Sequence, residues 1–223
     1  MPAAPILDLW RRAQAVCFDV DSTVSPDEGI DVLAAHAGKG DQVARLTARA
    51  MGGSVPFEVA IRERLDLIRP SRALVESCLE RHPPRLTAGV AELIAALRNR
   101  GARIHLVSGG FEPMILPLAR LLGIPTDHVH ANALHFDEDG DYAGFAADRP
   151  TARSRGKAAV LGQLKRTAAY SPLIMVGDGI TDLEARPPAD AFIGYGGVVV
   201  RDKVKAGADW YVTDFRELTD ALR

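Results

Sequence analysis

The sequence predicts an α/β protein: a doubly wound, mainly parallel sheet with an inserted small helical cap and a β-hairpin. Three observations lead there. Short apolar runs ending in polar groups, Ala15–Phe18, Arg103–Val107 and Pro172–Val176, alternate with stretches of helical periodicity, as parallel strands joined by crossover helices do. Between Ser25 and about Pro84 the strand signals vanish and helical spacing takes over. Leu134-His135-Phe136 and Tyr142-Ala143-Gly144-Phe145 flank an acidic turn, Asp137 to Asp141, which reads as a hairpin. The expected division is a core of residues 1–24 and 85–223 with residues 25–84 as the cap.

Each element has a local reason. Ala15–Phe18 is apolar throughout, as a strand buried on both faces requires. A first cap helix from Glu28 to Ala37 stops at Gly38-Lys39-Gly40, and a second starts with Asp41 as cap and breaks at Gly52-Gly53. The third follows Pro56 and carries Phe57, Ile61, Leu65 and Ile68 at helical spacing; the fourth runs from Pro70-Ser71 to Pro83-Pro84. Thr87 is placed to cap a helix through Val90, Leu93, Ile94 and Leu97 that ends at Gly101. Arg103–Val107 is a strand leading to Ser108, and the helix from Glu112 to Leu122 is expected to kink at Pro117. A helix from about Ser154 carries Lys157 in its first turn, Pro172–Val176 leads to Gly177-Asp178, and short strands at Ala191–Ile193 and Trp210–Val212 complete the sheet. Asp214 and Glu217 have capping-box spacing at the last helix.

At 223 residues and 24.0 kDa the chain can bury a substantial core, and 47% hydrophobic with 25% charged residues is ordinary for a globular protein. A net charge of −2 argues against a general attraction to nucleic acid and leaves only a local basic groove open. No apolar run approaches the roughly 20 residues that span a bilayer, and the amino terminus shows no secretory pattern, so no membrane association and a cytoplasmic location are expected. Cys17 and Cys78 suggest no disulfide framework; Cys17 reads as a small buried hydrophobe. The acidic hairpin tip lacks calcium-loop spacing, and His128 with His130 has no third ligand at a telling distance. Nothing in the sequence decides between monomer and homodimer.

The chemistry concentrates in Asp19-Val20-Asp21-Ser22-Thr23, just beyond the first strand. Ligands of open α/β sheets bind beyond the carboxyl ends of the strands, and side chains at i and i+2 of extended chain face the same way. Two such carboxylates repel unless they share a proton or a hard cation such as Mg²⁺. With Mg²⁺, one can attack a phosphoryl group while the other handles the proton of the leaving oxygen. Ser108, Asp178 and Asp182 are expected at the same end of successive strands.

Asp19-Val20-Asp21-Ser22-Thr23, Val107-Ser108-Gly109-Gly110, Gly156-Lys157 and Gly177-Asp178-Gly179-Ile180-Thr181-Asp182 resemble, in order, the four motifs of the haloacid dehalogenase-like phosphatase superfamily, with its Rossmann-like core. Asp27-Glu28-Gly29-Ile30-Asp31, Arg49-Ala50-Met51-Gly52-Gly53, Val55-Pro56-Phe57 and Pro187–Phe192 are similar to the phosphoserine phosphatase family within it. The resemblance implies Asp19 as nucleophile and Asp21 as acid and base. It implies Mg²⁺ held by the Asp19 side chain, the Asp21 backbone carbonyl and Asp178, with Asp182 orienting that shell. Ser108, Gly109 and Gly110 would bind the phosphate, with Lys157 as a fixed positive charge and Thr181 nearby. For the substrate, O-phosphoserine, it assigns Glu28 to the ammonium and Arg64 to the carboxylate, with Met51 and Gly52 lining the pocket and Arg201 close by.

Three departures from the pattern stand out: Ser25-Pro26 after the first motif, Arg155 before Gly156-Lys157, and Ile180 where a small or polar residue is expected. None removes a catalytic group. Two other readings stay open at this level, a phosphatase or phosphotransferase for another small phosphate such as phosphohomoserine, and a phospho-ligand binding module that does not turn over.

Overall fold

The computed structural model describes residues 3–51 and 55–223. The chain order is α1 (Ala4–Arg11), β1 (Ala15–Phe18), α2 (Gly29–His36), α3 (Gly40–Met51), α4 (Phe57–Ile68), α5 (Arg72–Arg81), α6 (Val90–Asn99), β2 (Arg103–Phe111), α7 (Glu112–Leu121), β3 (Val129–Asn132), β4 (Leu134–Phe136), β5 (Tyr142–Phe145), α8 (Gly156–Ala168), β6 (Leu173–Gly177), α9 (Ile180–Leu183), β7 (Ala191–Tyr195), α10 (Asp202–Gly207), β8 (Trp210–Val212) and α11 (Phe215–Asp220). A six-stranded parallel sheet runs in the order β3-β2-β1-β6-β7-β8, and β4-β5 is a separate antiparallel hairpin.

The position of β1 follows from its composition. All four of its residues are buried and it pairs on both edges, with β2 and β6. Alternation sends Val16 and Phe18 into one face with Leu93, Leu97, Ile104 and Phe215, while Ala15 and Cys17 enter the opposite face with Leu161, Met175 and Phe192. The sheet is thus covered on both sides, as a doubly wound fold requires. Burial pushes the Cys17 thiol up, which leaves it an inert packing group. A second core lies among α2 to α5, where Leu33, Ile61, Leu65 and Cys78 meet Phe111 and the hairpin residues Tyr142 and Phe145.

Several local expectations change. Thr87 does not cap α6: its buried hydroxyl has no partner among the described residues, and the helix starts after Gly89 at φ 82°. Ser108 to Gly110 continue β2 as extended chain, so that strand reaches Phe111. Four elements were not anticipated: α1, β3 and the short helices α9 and α10. In α1 the buried Trp10 donates its Nε1–H to the Leu218 carbonyl at 3.0 Å, and β3 adds an edge strand through Leu106 and Val107.

β3 also explains the histidines. His105 stacks on His128 with ring centroids 4.2 Å apart, and its Nδ1 lies 3.3 Å from His130 Nε2. The His130 ring also stacks on His105, with centroids 5.4 Å apart. Burial first, then His128, His130 and Arg103, push His105 from its ordinary 6.5 down to about 3, and the Tyr170 ring lies tilted beside it with centroids 5.7 Å apart. The unfolded chain accepts a proton at His105 below about pH 6.5 that the folded state refuses. The associated stability is therefore intact above that pH and lost as pH falls. Between about pH 7 and pH 5 the thermal midpoint of the wild type is expected to drop further than that of His105→Phe; equal drops would remove this cluster as the source.

Candidate active site

The site begins where β1 ends. The Asp19 N–H bonds the Val176 carbonyl at 2.9 Å, which ties it to the end of β6. Its Oδ1 accepts the Val20 N–H at 2.7 Å and meets Lys157 Nζ at 2.7 Å, leaving Oδ2 without a protein donor among the described residues. Val20 to Val24 then fold into a tight turn closed by the Ser25 N–H on the Val20 carbonyl at 2.9 Å. Ser22 adopts φ 54° in that turn, a conformation that costs of order 1 kcal/mol and persists only where surroundings hold it. Here its hydroxyl donates to Glu28 Oε1 at 2.7 Å. Asp21 points back to Gly29, whose N–H it accepts at 2.7 Å. Burial, then Glu28 and Asp19, push Asp21 up to about 7.

The neighbouring strands bring the other motifs to the same edge. Ser108 follows the stretch of β2 that pairs with Phe18, is buried, and accepts the Gly110 N–H at 2.9 Å. Gly110 leaves room for Asp21, since a Cβ there would lie 3.0 Å from Asp21 Oδ2. Gly177 ends β6 against Asp182, where a Cβ would come within 2.3 Å of Oδ2, so only glycine fits. Asp182 is fully held: Oδ2 accepts the Gly179 N–H at 2.9 Å and Oδ1 meets Lys157 Nζ at 2.6 Å. Lys157, in the first turn of α8, therefore bridges Asp19 and Asp182. Burial pulls its ammonium down, and the two carboxylates more than reverse that.

Asp19, Asp178 and Asp182 each offer a carboxylate oxygen within 4.8 Å of the other two, and all three are buried. Lys157 and Arg201, whose Nε bonds Asp178 Oδ2 at 2.9 Å, supply two positive charges against these three negative ones. Burial and then Asp19 push both Asp178 and Asp182 up. A surplus of buried negative charge presented by hard oxygen ligands fits a divalent cation such as Mg²⁺. Thr23, which carried no assigned role, donates to Asp178 Oδ1 at 3.2 Å and fixes that carboxylate from 155 residues away.

On the helical side, Glu28 accepts only the Ser22 hydroxyl among the described residues, and burial pushes its carboxyl up. Arg64, half-buried on α4, donates Nε to the Ala60 carbonyl at 3.1 Å, while its two terminal nitrogens meet no carboxylate within salt-bridge distance among the described residues. It feels the charges of Asp31, Glu28 and Asp21. Met51 ends α3, and Gly52 lies outside the described residues. Thr181 sits in the first turn of α9 beside Gly179, and Ile180 is 41% exposed. Arg201 meets Asp178 rather than the Glu28 and Arg64 group. Two contacts that no motif signalled join α4 to the core: the Phe57 ring covers Gly109, where a Cβ would lie 2.8 Å from it, and Glu58 accepts the Ser154 hydroxyl at 2.8 Å.

Residues 16–185 match the model of the haloacid dehalogenase-like hydrolases. Over 215 residues the chain is 51% identical to the phosphoserine phosphatase of Bos taurus, covering 96% of each. It belongs to the phosphoserine phosphatase family of haloacid dehalogenase-like hydrolases. A solved structure described as the phospho-aspartyl intermediate analogue of a phosphoserine phosphatase superposes with a TM-score of 0.81 at 28% identity, covering 95% of this chain and 99% of that one. The DsGPDH chain of Dunaliella salina contains a similar region: all of the present chain aligns with 38% of it, at 38% identity and a TM-score of 0.89. One edge of the sheet thus carries two carboxylates beyond β1, a lysine between carboxylates and a glycine-rich strand end. No helix among the described residues is long and apolar enough to cross a membrane.

Proposed function

We propose that the protein hydrolyses O-phospho-L-serine to L-serine and phosphate through an aspartyl phosphate on Asp19, as a Mg²⁺-dependent cytoplasmic enzyme completing serine biosynthesis. The observation that carries this reading is the division of labour between two adjacent carboxylates. Asp19 is ion-paired to Lys157 with one oxygen unengaged, while Asp21 is pushed up to about 7 and can hold a proton near neutral pH. Asp19 Oδ2 attacks phosphorus in line as Asp21 protonates the departing seryl oxygen. Asp21, now a carboxylate, takes a proton from the water that attacks the aspartyl phosphate, and phosphate leaves with Asp19 regenerated. Mg²⁺, held by Asp19, the Asp21 backbone carbonyl and Asp178, would neutralise charge on the phosphoryl oxygens. Ser108, Gly109 and Gly110 bind those oxygens, and Lys157 stays charged beside them. Two buried free cysteines, Cys17 and Cys78, agree with a reducing compartment.

The substrate assignment rests on two half-buried groups with spare valences. Among the described residues Glu28 has an oxygen free for an ammonium, and the Arg64 fork is open for a carboxylate. Phosphate release from L-phosphoserine, with Mg²⁺ or EDTA, tests the reading. Arg64→Ala should lower kcat/KM for phosphoserine by about 1.5–3 kcal/mol, roughly 10- to 150-fold, the worth of a charged hydrogen bond. Turnover of a phosphate monoester without a carboxylate should change little. An equal loss on both substrates would sink the specificity role of Arg64.

A further inference from the structure

Four arginines gather at the end of the sheet opposite the catalytic carboxylates. Arg11 and Arg12 close α1, Arg100 follows α6 and Arg103 opens β2; with Gln14 and Tyr170 they line an open pocket of about 380 Å³. Arg103 pairs with Ala15 at the start of β1, whereas Asp19 lies past its end. At about 3.3 Å per strand residue, roughly 13 Å separates the pocket from the reaction centre.

Charge compensation in this pocket is incomplete. Arg12 meets Asp8 at 3.1 Å in an exposed pair, and no other carboxylate among the described residues pairs with any of the four. Arg11 Nε and Arg100 Nη1 donate to the Ala221 and Leu222 carbonyls at 2.8 and 3.1 Å, which fixes the two guanidinium groups in place without neutralising them. The carboxyl ends of α1, α6 and α8 face the same region, each worth about half a negative charge. Those three ends, the carbonyl end of α11 that Arg11 and Arg100 bind, and one exposed carboxylate together still fall short of four guanidinium ions.

We propose that this pocket binds an oligophosphate, either inorganic or the phosphate chain of a nucleotide. Guanidinium forks engage phosphate oxygens in pairs, and four of them around one concavity suit a ligand with several phosphoryl groups better than a single carboxylate. Tyr170, half-buried in the wall, presents a ring on which a base can stack. Calorimetric titration of the wild type with pyrophosphate, in low salt and without Mg²⁺, should show saturable binding that added salt weakens. Arg100→Ala/Arg103→Ala should lower the affinity about tenfold or more at unchanged turnover, and Arg12→Glu, at an exposed position, should do the same if the double variant folds poorly. Ser108→Ala should leave it intact. Tighter binding of ATP than pyrophosphate, with the difference erased in Tyr170→Ala, assigns the site to nucleotides; equal affinity assigns it to inorganic oligophosphate. Absence of saturable binding, or binding lost in Ser108→Ala and kept in the arginine variants, overturns the proposal.

Discussion

Asp19→Asn is expected to lower phosphate release from phosphoserine by roughly 10⁴- to 10⁶-fold, the scale of losing a nucleophile that acts within a catalytic unit. The substitution is nearly isosteric, and an amide oxygen can still accept the Val20 N–H that now holds Oδ1 at 2.7 Å. What disappears is the charge and the attacking oxygen. Asp19 is also a principal cause, after burial, of the upward shifts of Asp178 and Asp182. Removing it relieves a repulsion among three buried carboxylates, so without Mg²⁺ the variant should melt no lower than the wild type. The stabilisation gained on adding Mg²⁺ should shrink as well, because ligand-linked stability grows with affinity and one ligand is gone. A variant that keeps turnover would refute Asp19 as nucleophile. An unchanged Mg²⁺-induced shift in the melting temperature would instead refute Asp19 as a metal ligand, so the two roles are tested apart.

That these carboxylates share one edge of the sheet was legible because the signals are local. β1 is apolar at every position, Asp19 and Asp21 follow it directly, Gly177 ends β6 just before Asp178, and Ser108-Gly109 follows the fully buried stretch Ile104–Val107 of β2. Ser22 with Glu28, six residues apart, was within reach of the same reading, but the left-handed turn that aims Ser22 has no signature outside glycine. What the sequence hid is long-range. α1 is anchored by Trp10 to Leu218, 208 residues away, and β3 becomes a strand only by pairing with β2. His128 and His130 showed no third ligand at a telling distance, and nothing local signals that His105, from another strand, stacks on one and lies within hydrogen-bond distance of the other. Thr23 and Asp178 meet across 155 positions, which no spacing argument reaches.

The largest effect on folding is expected from Lys157→Met. Lys157 is 7% exposed, and its ammonium lies 2.7 Å from Asp19 and 2.6 Å from Asp182. Methionine preserves much of the stem volume and removes the charge, so two buried carboxylates lose their common partner. Breaking a buried ion pair from one side costs about 3–5 kcal/mol, because the charges left behind are desolvated and uncompensated. Chemical denaturation in EDTA should show that loss as a lower midpoint with an unchanged slope. Mg²⁺ should restore part of it, since a divalent cation near the same carboxylates replaces some of the missing charge. Lys157→Arg should not rescue fully: a planar fork cannot occupy the place of a compact ammonium held between two oxygens in a packed pocket. Activity at saturating Mg²⁺ should still fall by roughly 10²- to 10³-fold, the effect of removing one preorganised charge from a developing transition state. If stability in EDTA were unchanged, Lys157 would not be the counter-ion that keeps three acidic side chains buried at one strand edge, and the electrostatic account of the site would fail with it.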